Sequence, residues 1–235
     1  MQVIVPLAGP DFIQPVEGIK ALTPFFGEYH LQYILKSRPW ADQVSQYTFV
    51  LYDSRETRDF ASRYLAAWFK ECSFVFITRY TKGAAISAVA GLSLLNRLSS
   101  PVIVDLADIY YRSNINIQRL FEDDSSLGGI ALVFEANSSD YSYLRCDANG
   151  LVVEAAEKRV ISDKASAGTY VFRDCPTYLT ALAYVIKNES TQSFKGLYYV
   201  CPLFNGVITQ EMTARLYPVW EVIDIKNRQE GQQGL

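Results

Sequence analysis

The sequence predicts an α/β fold: a Rossmann-like, doubly wound mixed sheet whose C-terminal half is more antiparallel. Three observations carry this. Short β-branched and aromatic runs alternate with segments of helical spacing through residues 1–111, the pattern of parallel strands joined by right-handed crossovers. The run Val102 to Val104 has no polar alternation, as expected of a strand buried on both faces. After residue 112, strand-like runs follow one another across turn residues rather than helices. With 235 residues and no low-complexity linker, the chain reads as one domain over 1–235. It has halves at 1–111 and 112–228, and a frayed tail at 229–235.

Val3 to Leu7 is the first buried strand, and Ala8-Gly9-Pro10-Asp11-Phe12 is the turn that leaves it. A helix is expected over 28–37, because Leu31, Ile34 and Leu35 share one face. Tyr47 to Tyr52 is the second strand. Asp53-Ser54-Arg55-Glu56 opens a helix over 56–70. Ser73 to Thr78 is the third strand, Gly83 lies in the turn after it, and 84–95 is helical. In the second half, strands are expected at 129–134, 141–147, 151–157 and 167–172. Asp147-Ala-Asn-Gly150 makes the second and third of these a hairpin. Thr177 to Asn188 is helical, and 215–225 is strand-like.

Composition excludes several classes. The chain is 49% hydrophobic and 20% charged, with net charge −3. This suits a globular core and argues against a nucleic-acid partner, which calls for a basic face. No apolar run reaches the ~18 residues of a membrane span, and no signal peptide is visible at Met1. Cys72, Cys146, Cys175 and Cys201 lack metal-ligand spacing, so reduced thiols and a cytoplasmic location are expected. His30 is the only histidine, which weakens any Ser/His or Cys/His scheme that needs one elsewhere. The 16 tyrosines and 13 phenylalanines suit a core, a ligand site or the interface of a homo-oligomer.

Asp105 and Asp108 fall where the central strand at Val102 should end. Ligands of open α/β sheets gather at the carboxyl ends of strands, so an acid there is a candidate metal ligand. Either residue could instead cap the turn.

Several segments in order resemble the sugar nucleotidylyltransferases, or NDP-sugar pyrophosphorylases. They are Val3 to Gly9, Ile19-Lys-Ala-Leu-Thr-Pro-Phe-Phe-Gly27, Thr81-Lys-Gly-Ala-Ala85 and Val102 to Asp108. They continue with Val153-Glu-Ala-Ala-Glu-Lys158, Ala167 to Phe172 and Val222-Ile-Asp-Ile225. The resemblance implies the nucleotide-diphospho-sugar transferase type of fold, with 1–111 binding nucleotide and 112–228 the acceptor. It implies an enzyme that joins a nucleoside triphosphate to a sugar 1-phosphate or similar phosphorylated molecule, releasing pyrophosphate, in sugar-nucleotide and polysaccharide metabolism. Asp108 and Asp224 become Mg²⁺ ligands, and Lys20 a phosphate contact beside Asp108 in catalysis. Gly9 and Gly83 shape the nucleotide pocket, while Glu157, Lys158 and Gly168 surround the second substrate.

The chain also departs from that pattern. The family's Gly-x-Gly-x-Arg loop is here Leu7-Ala-Gly-Pro-Asp-Phe12, with one glycine and no arginine before Arg38. A fixed guanidinium at developing phosphate charge contributes orders of magnitude in rate. Arg159 replaces the usual proline after Lys158, and Ile225-Lys226 replaces glycine-threonine after Asp224. Three readings follow: an active enzyme in which Lys20, Arg79 or Lys82 supplies the missing charge, a relative that binds without turnover, or a glycosyltransferase acting on an NDP-sugar. The last commonly uses Asp-x-Asp, and Asp105-Leu-Ala-Asp108 is one residue too long.

Overall fold

The computed structural model describes residues 1–16 and 18–225. The tail expected at 229–235, and Lys226, lie outside the described residues. In chain order the main elements are β1 (Gln2–Pro6), α1 (His30–Ser37), β2 (Gln46–Tyr52), α2 (Arg55–Phe60), β3 (Cys72–Ile77), α3 (Ala84–Leu92), β4 (Val102–Asp105) and β5 (Ile109–Arg112). There follow α4 (Ile117–Asp123), β6 (Leu127–Glu135), β7 (Tyr143–Cys146), β8 (Val152–Ala156), β9 (Lys164–Phe172), α5 (Cys175–Lys187), α6 (Leu203–Ile208), β10 (Thr213–Pro218) and β11 (Trp220–Asp224).

β1 is central because both its faces are apolar. Val3 and Val5 pack with Leu31, Ile34 and Leu35 of α1, while Ile4 packs with Ala85, Ala88 and Leu92 of α3. The period-two alternation thus feeds a core on each face of the sheet. β3, β2, β1 and β4 are parallel neighbours in that order. The sheet then turns antiparallel: β9 pairs with β4, and β6 with β9, before β10 joins β6 in parallel. The β7–β8 hairpin attaches to β9 through Tyr143 and Ala165. The doubly wound mixed sheet with an antiparallel second half is the one expected.

Three differences have physical causes. The helix expected over 56–70 starts as read, with Ser54 Oγ accepting from Thr57 N–H at 3.2 Å and Thr57 Oγ1 accepting from Ser54 N–H at 3.1 Å. It then opens into one wide turn at Ala61–Leu65 before closing at Ala66–Trp68. α4 and α6 are too short to show helical periodicity. Asn116 caps α4 by accepting from Arg119 N–H at 3.0 Å. In α6, a Cβ at Gly206 would lie 2.5 Å from the Ala181 carbonyl, so its glycine serves close packing on α5 rather than a turn. Lastly, the 215–225 run is two strands. β10 belongs to the main sheet, and β11 pairs with β5 in a separate antiparallel ladder.

Candidate active site at the strand ends

The two acids after β4 have different fates. Asp105 is fully buried and takes a bidentate pair from Arg38, with Nε to Oδ2 at 2.7 Å and Nη2 to Oδ1 at 3.0 Å. Arg38 Nη2 also donates to the Ile109 carbonyl at 3.1 Å, and its guanidinium lies 3.9 Å from the centroid of the Tyr111 ring. Asp105 Oδ1 further accepts from the Ala107 N–H at 2.9 Å. Asp105 is therefore the turn cap, and it uses up the first arginine of the chain. Ala107 takes φ +53°, and this left-handed residue turns the backbone so that Asp108 reaches a cavity.

That cavity has a volume of about 570 Å³ and opens beyond the carboxyl ends of β1, β3 and β4, where ligands of such sheets bind. Gly9, Lys20, Gly83 and Asp108 all line it, so four of the eight site residues expected from the sequence share one space. The loop after β1 closes on itself, with Phe12 N–H donating to the Gly9 carbonyl at 3.2 Å. Asp11 folds over Gly9, where a Cβ would stand 2.7 Å from Asp11 Oδ1. Its other oxygen lies 3.7 Å from Lys20 Nζ. Lys20 thus shares the wall with two carboxylates, Asp11 and Asp108, and no arginine is among the described lining residues. Of the cations considered as substitutes, Arg79 and Lys82 do not line the cavity; Lys82 Nζ is 3.8 Å from Glu189.

Gly83 has φ +105°, and a Cβ there would be 2.4 Å from the Tyr198 carbonyl oxygen. Close backbone packing requires this glycine whether or not a ligand is bound. Gly168 has φ +76° within β9, where the pairing with β6 slips between Ala131 and Val133. It is a bulge glycine, and it leaves room for Asp108: a Cβ would lie 3.0 Å from Asp108 Oδ1.

Asp224 comes to Asp108 through the β5–β11 ladder. Asp224 is paired with Ile109, and Ile225 N–H donates to the Asp108 carbonyl at 3.2 Å. The two acids therefore stand one rung apart in the ladder, and Asp224 is not among the residues that line the cavity. Asp224 Oδ2 accepts from the Tyr141 hydroxyl at 2.9 Å. Glu157 and Lys158 do not line the cavity. Glu157 accepts a short hydrogen bond from Ser142 Oγ, and Lys158, at φ +55°, donates from Nζ to the Asp140 carbonyl at 2.7 Å.

His30 and Tyr80 also line the cavity, and sequence reasoning assigned neither of them to it. His30 is buried, with no protein partner for Nδ1. Burial, then the positive charge of Lys20, lowers its pKa to about 4, with Asp108 opposing. The imidazole is neutral at pH 7. His30 opens α1 beside the lysine loop, and that position was its only signal in the sequence.

No protein-family model matches the chain, and no curated protein matches it by sequence. Solved structures do. A nucleoside-diphosphate-sugar pyrophosphorylase from Vibrio cholerae RC9 superposes with TM-score 0.82 at 21% identity, covering 99% of this chain and 98% of that one. A putative glucose-1-phosphate thymidylyltransferase from Bacillus anthracis gives 0.73 at 14% identity, covering 99% and 92%. The inositol-1-phosphate CTP transferase of T. maritima gives 0.70 at 14%, covering 94% and 86%. The resemblance read from the sequence holds at the level of the fold: this chain is folded like these solved nucleotidyltransferase structures.

Proposed function

We propose that the protein is a Mg²⁺-dependent nucleotidylyltransferase joining a nucleoside triphosphate to a sugar 1-phosphate, or to another phosphorylated acceptor. The observation that carries this is the gathering of Gly9, Lys20, Gly83 and Asp108 around one cavity at the strand ends. An acceptor phosphate oxygen attacks the α-phosphorus while the bond to pyrophosphate breaks, a reaction driven by positioning and charge neutralisation. Lys20 would bind phosphate after giving up Asp11. Asp108 and Asp224 would hold Mg²⁺. Their hard oxygen donors suit that ion, which takes one or two carboxylates and completes its shell with water and substrate phosphates. When bound, the ion would neutralise the triphosphate and polarise its α-phosphoryl group. Gly168, beside Asp108, would border the acceptor, with Glu157 and Lys158 further out.

A second reading is favoured by the Asp11–Lys20 pair and the absence of a lining arginine: a relative that binds nucleotide or sugar phosphate without turnover, in a regulatory or structural role. Pyrophosphate release measured across nucleoside triphosphates and sugar 1-phosphates with Mg²⁺ separates the two. The enzyme reading expects release that falls at least about a hundredfold in Asp108→Asn. Binding without release, measured by thermal shift, would select the second reading. Neither binding nor release would reject both.

A further inference from the structure

We infer that Tyr80, backed by Tyr52, is the platform on which the base of a bound nucleotide stacks, so that this chain recognises a base by its face. The inference rests on the nucleotide site proposed above. Tyr52 ends β2, and Tyr80 stands in the loop after the neighbouring β3. Their rings are stacked with centroids 4.6 Å apart and planes 17° apart. Tyr80 is nevertheless 56% exposed and lines the cavity. A lone exposed aromatic means little. A ring fixed on one side by a second ring, in a cavity wall, is pre-organised for a third planar group, because its orientation is already set before the ligand arrives.

Location and chemistry agree. Tyr80 follows β3 and Asp108 follows β4, three strand spacings away across β2 and β1, roughly 14 Å at ~4.8 Å each. Lys20 and Asp108 thus take the phosphate end of the cavity, and Tyr80 the far end. Two hydroxyls of the wall bond within it: Thr81 Oγ1 lies 3.1 Å from the Gly83 carbonyl oxygen and shares a 2.6 Å hydrogen bond with Ser87 Oγ. The exposed ring of Tyr80 is a broad planar surface at this end of the cavity. Stacking tolerates any base, and a purine offers more surface than a pyrimidine.

The test is calorimetric titration of ATP, GTP, CTP, UTP and inorganic tripolyphosphate, each with Mg²⁺, into the wild type, Tyr80→Ala and Tyr80→Phe. The exposure of Tyr80 means that both variants fold, which an unchanged melting temperature verifies. Tyr80→Ala is expected to weaken every nucleoside triphosphate about tenfold or more and to leave tripolyphosphate unchanged. Tyr80→Phe is expected to restore wild-type affinity, with ATP and GTP bound more tightly than CTP and UTP. Nucleotide binding that Tyr80→Ala leaves intact overturns the inference alone. Equal weakening of tripolyphosphate also overturns it, since the residue would then only shape the loop. A wild type that binds no nucleotide overturns both the inference and the site it rests on.

Discussion

Asp105 and Asp108 stand three residues apart at the end of one strand, and what meets each of them differs. Asp105 is sealed under Arg38, and removing one member of a buried pair strands the other charge. Asp105→Asn and Arg38→Met are each expected to lower unfolding free energy by about 3–5 kcal/mol, read from urea unfolding. Combining Arg38→Met with Asp105→Leu should recover most of the loss, because an apolar pair needs no compensation. Asp11 behaves oppositely. It is exposed and holds Lys20 at 3.7 Å, so Asp11→Asn should leave stability within about 0.5 kcal/mol and tighten tripolyphosphate binding. The sequence could nominate both strand-end acids but could not rank them, since the partner that settles Asp105 lies 67 residues away. Lys20 and Gly9 became candidates only through the family resemblance, in two separate matching segments, and both line the cavity. His30 did not, since a histidine opening an amphipathic helix has no distinguishing neighbour in the chain.

Among elements, those with local causes were readable and those with distant causes were not. Ser54 announces α2 through a capping pair with Thr57, and Ser54→Ala should cost about 1 kcal/mol. The wide turn that follows has no comparable mark. The break between β10 and β11 falls at Pro218-Val219, so the run from Arg215 to Ile225 carried one breaker, which the strand-like reading passed over. The competing partners, β6 for one half and β5 for the other, complete the division. That division carries Asp224 to Asp108. Gly83 joins α3 to the segment around Tyr198, and its left-handed backbone and the 2.4 Å approach to a carbonyl leave no room for a methyl group. Gly83→Ala is expected to destabilise by roughly 2 kcal/mol or more and to displace the start of α3. Loss of nucleotide binding out of proportion to the fall in melting temperature would mean that the glycine also touches ligand.

For the whole molecule, the sheet gathers residues 9, 20, 83 and 108 over a common cavity, and the cost of that arrangement shows in how stability depends on pH. His30 is held neutral in the fold with a pKa of about 4, against an ordinary value of 6.5. Between these values the unfolded chain binds a proton that the native protein does not, so unfolding takes up protons and stability rises with pH. The contribution is complete above about pH 6.5 and is lost as pH falls toward 4. A shift of this size corresponds to about 3 kcal/mol. Since His30 is the only histidine, no other imidazole contributes to that limb. Urea unfolding at intervals from pH 4 to 8 should therefore show a slope in the wild type that flattens in His30→Gln, with the two curves converging toward acid. A wild-type slope unchanged by the substitution would mean that the imidazole titrates near its ordinary value. The cavity wall beside Lys20 would then carry a second positive charge in mild acid, and triphosphate binding should tighten there.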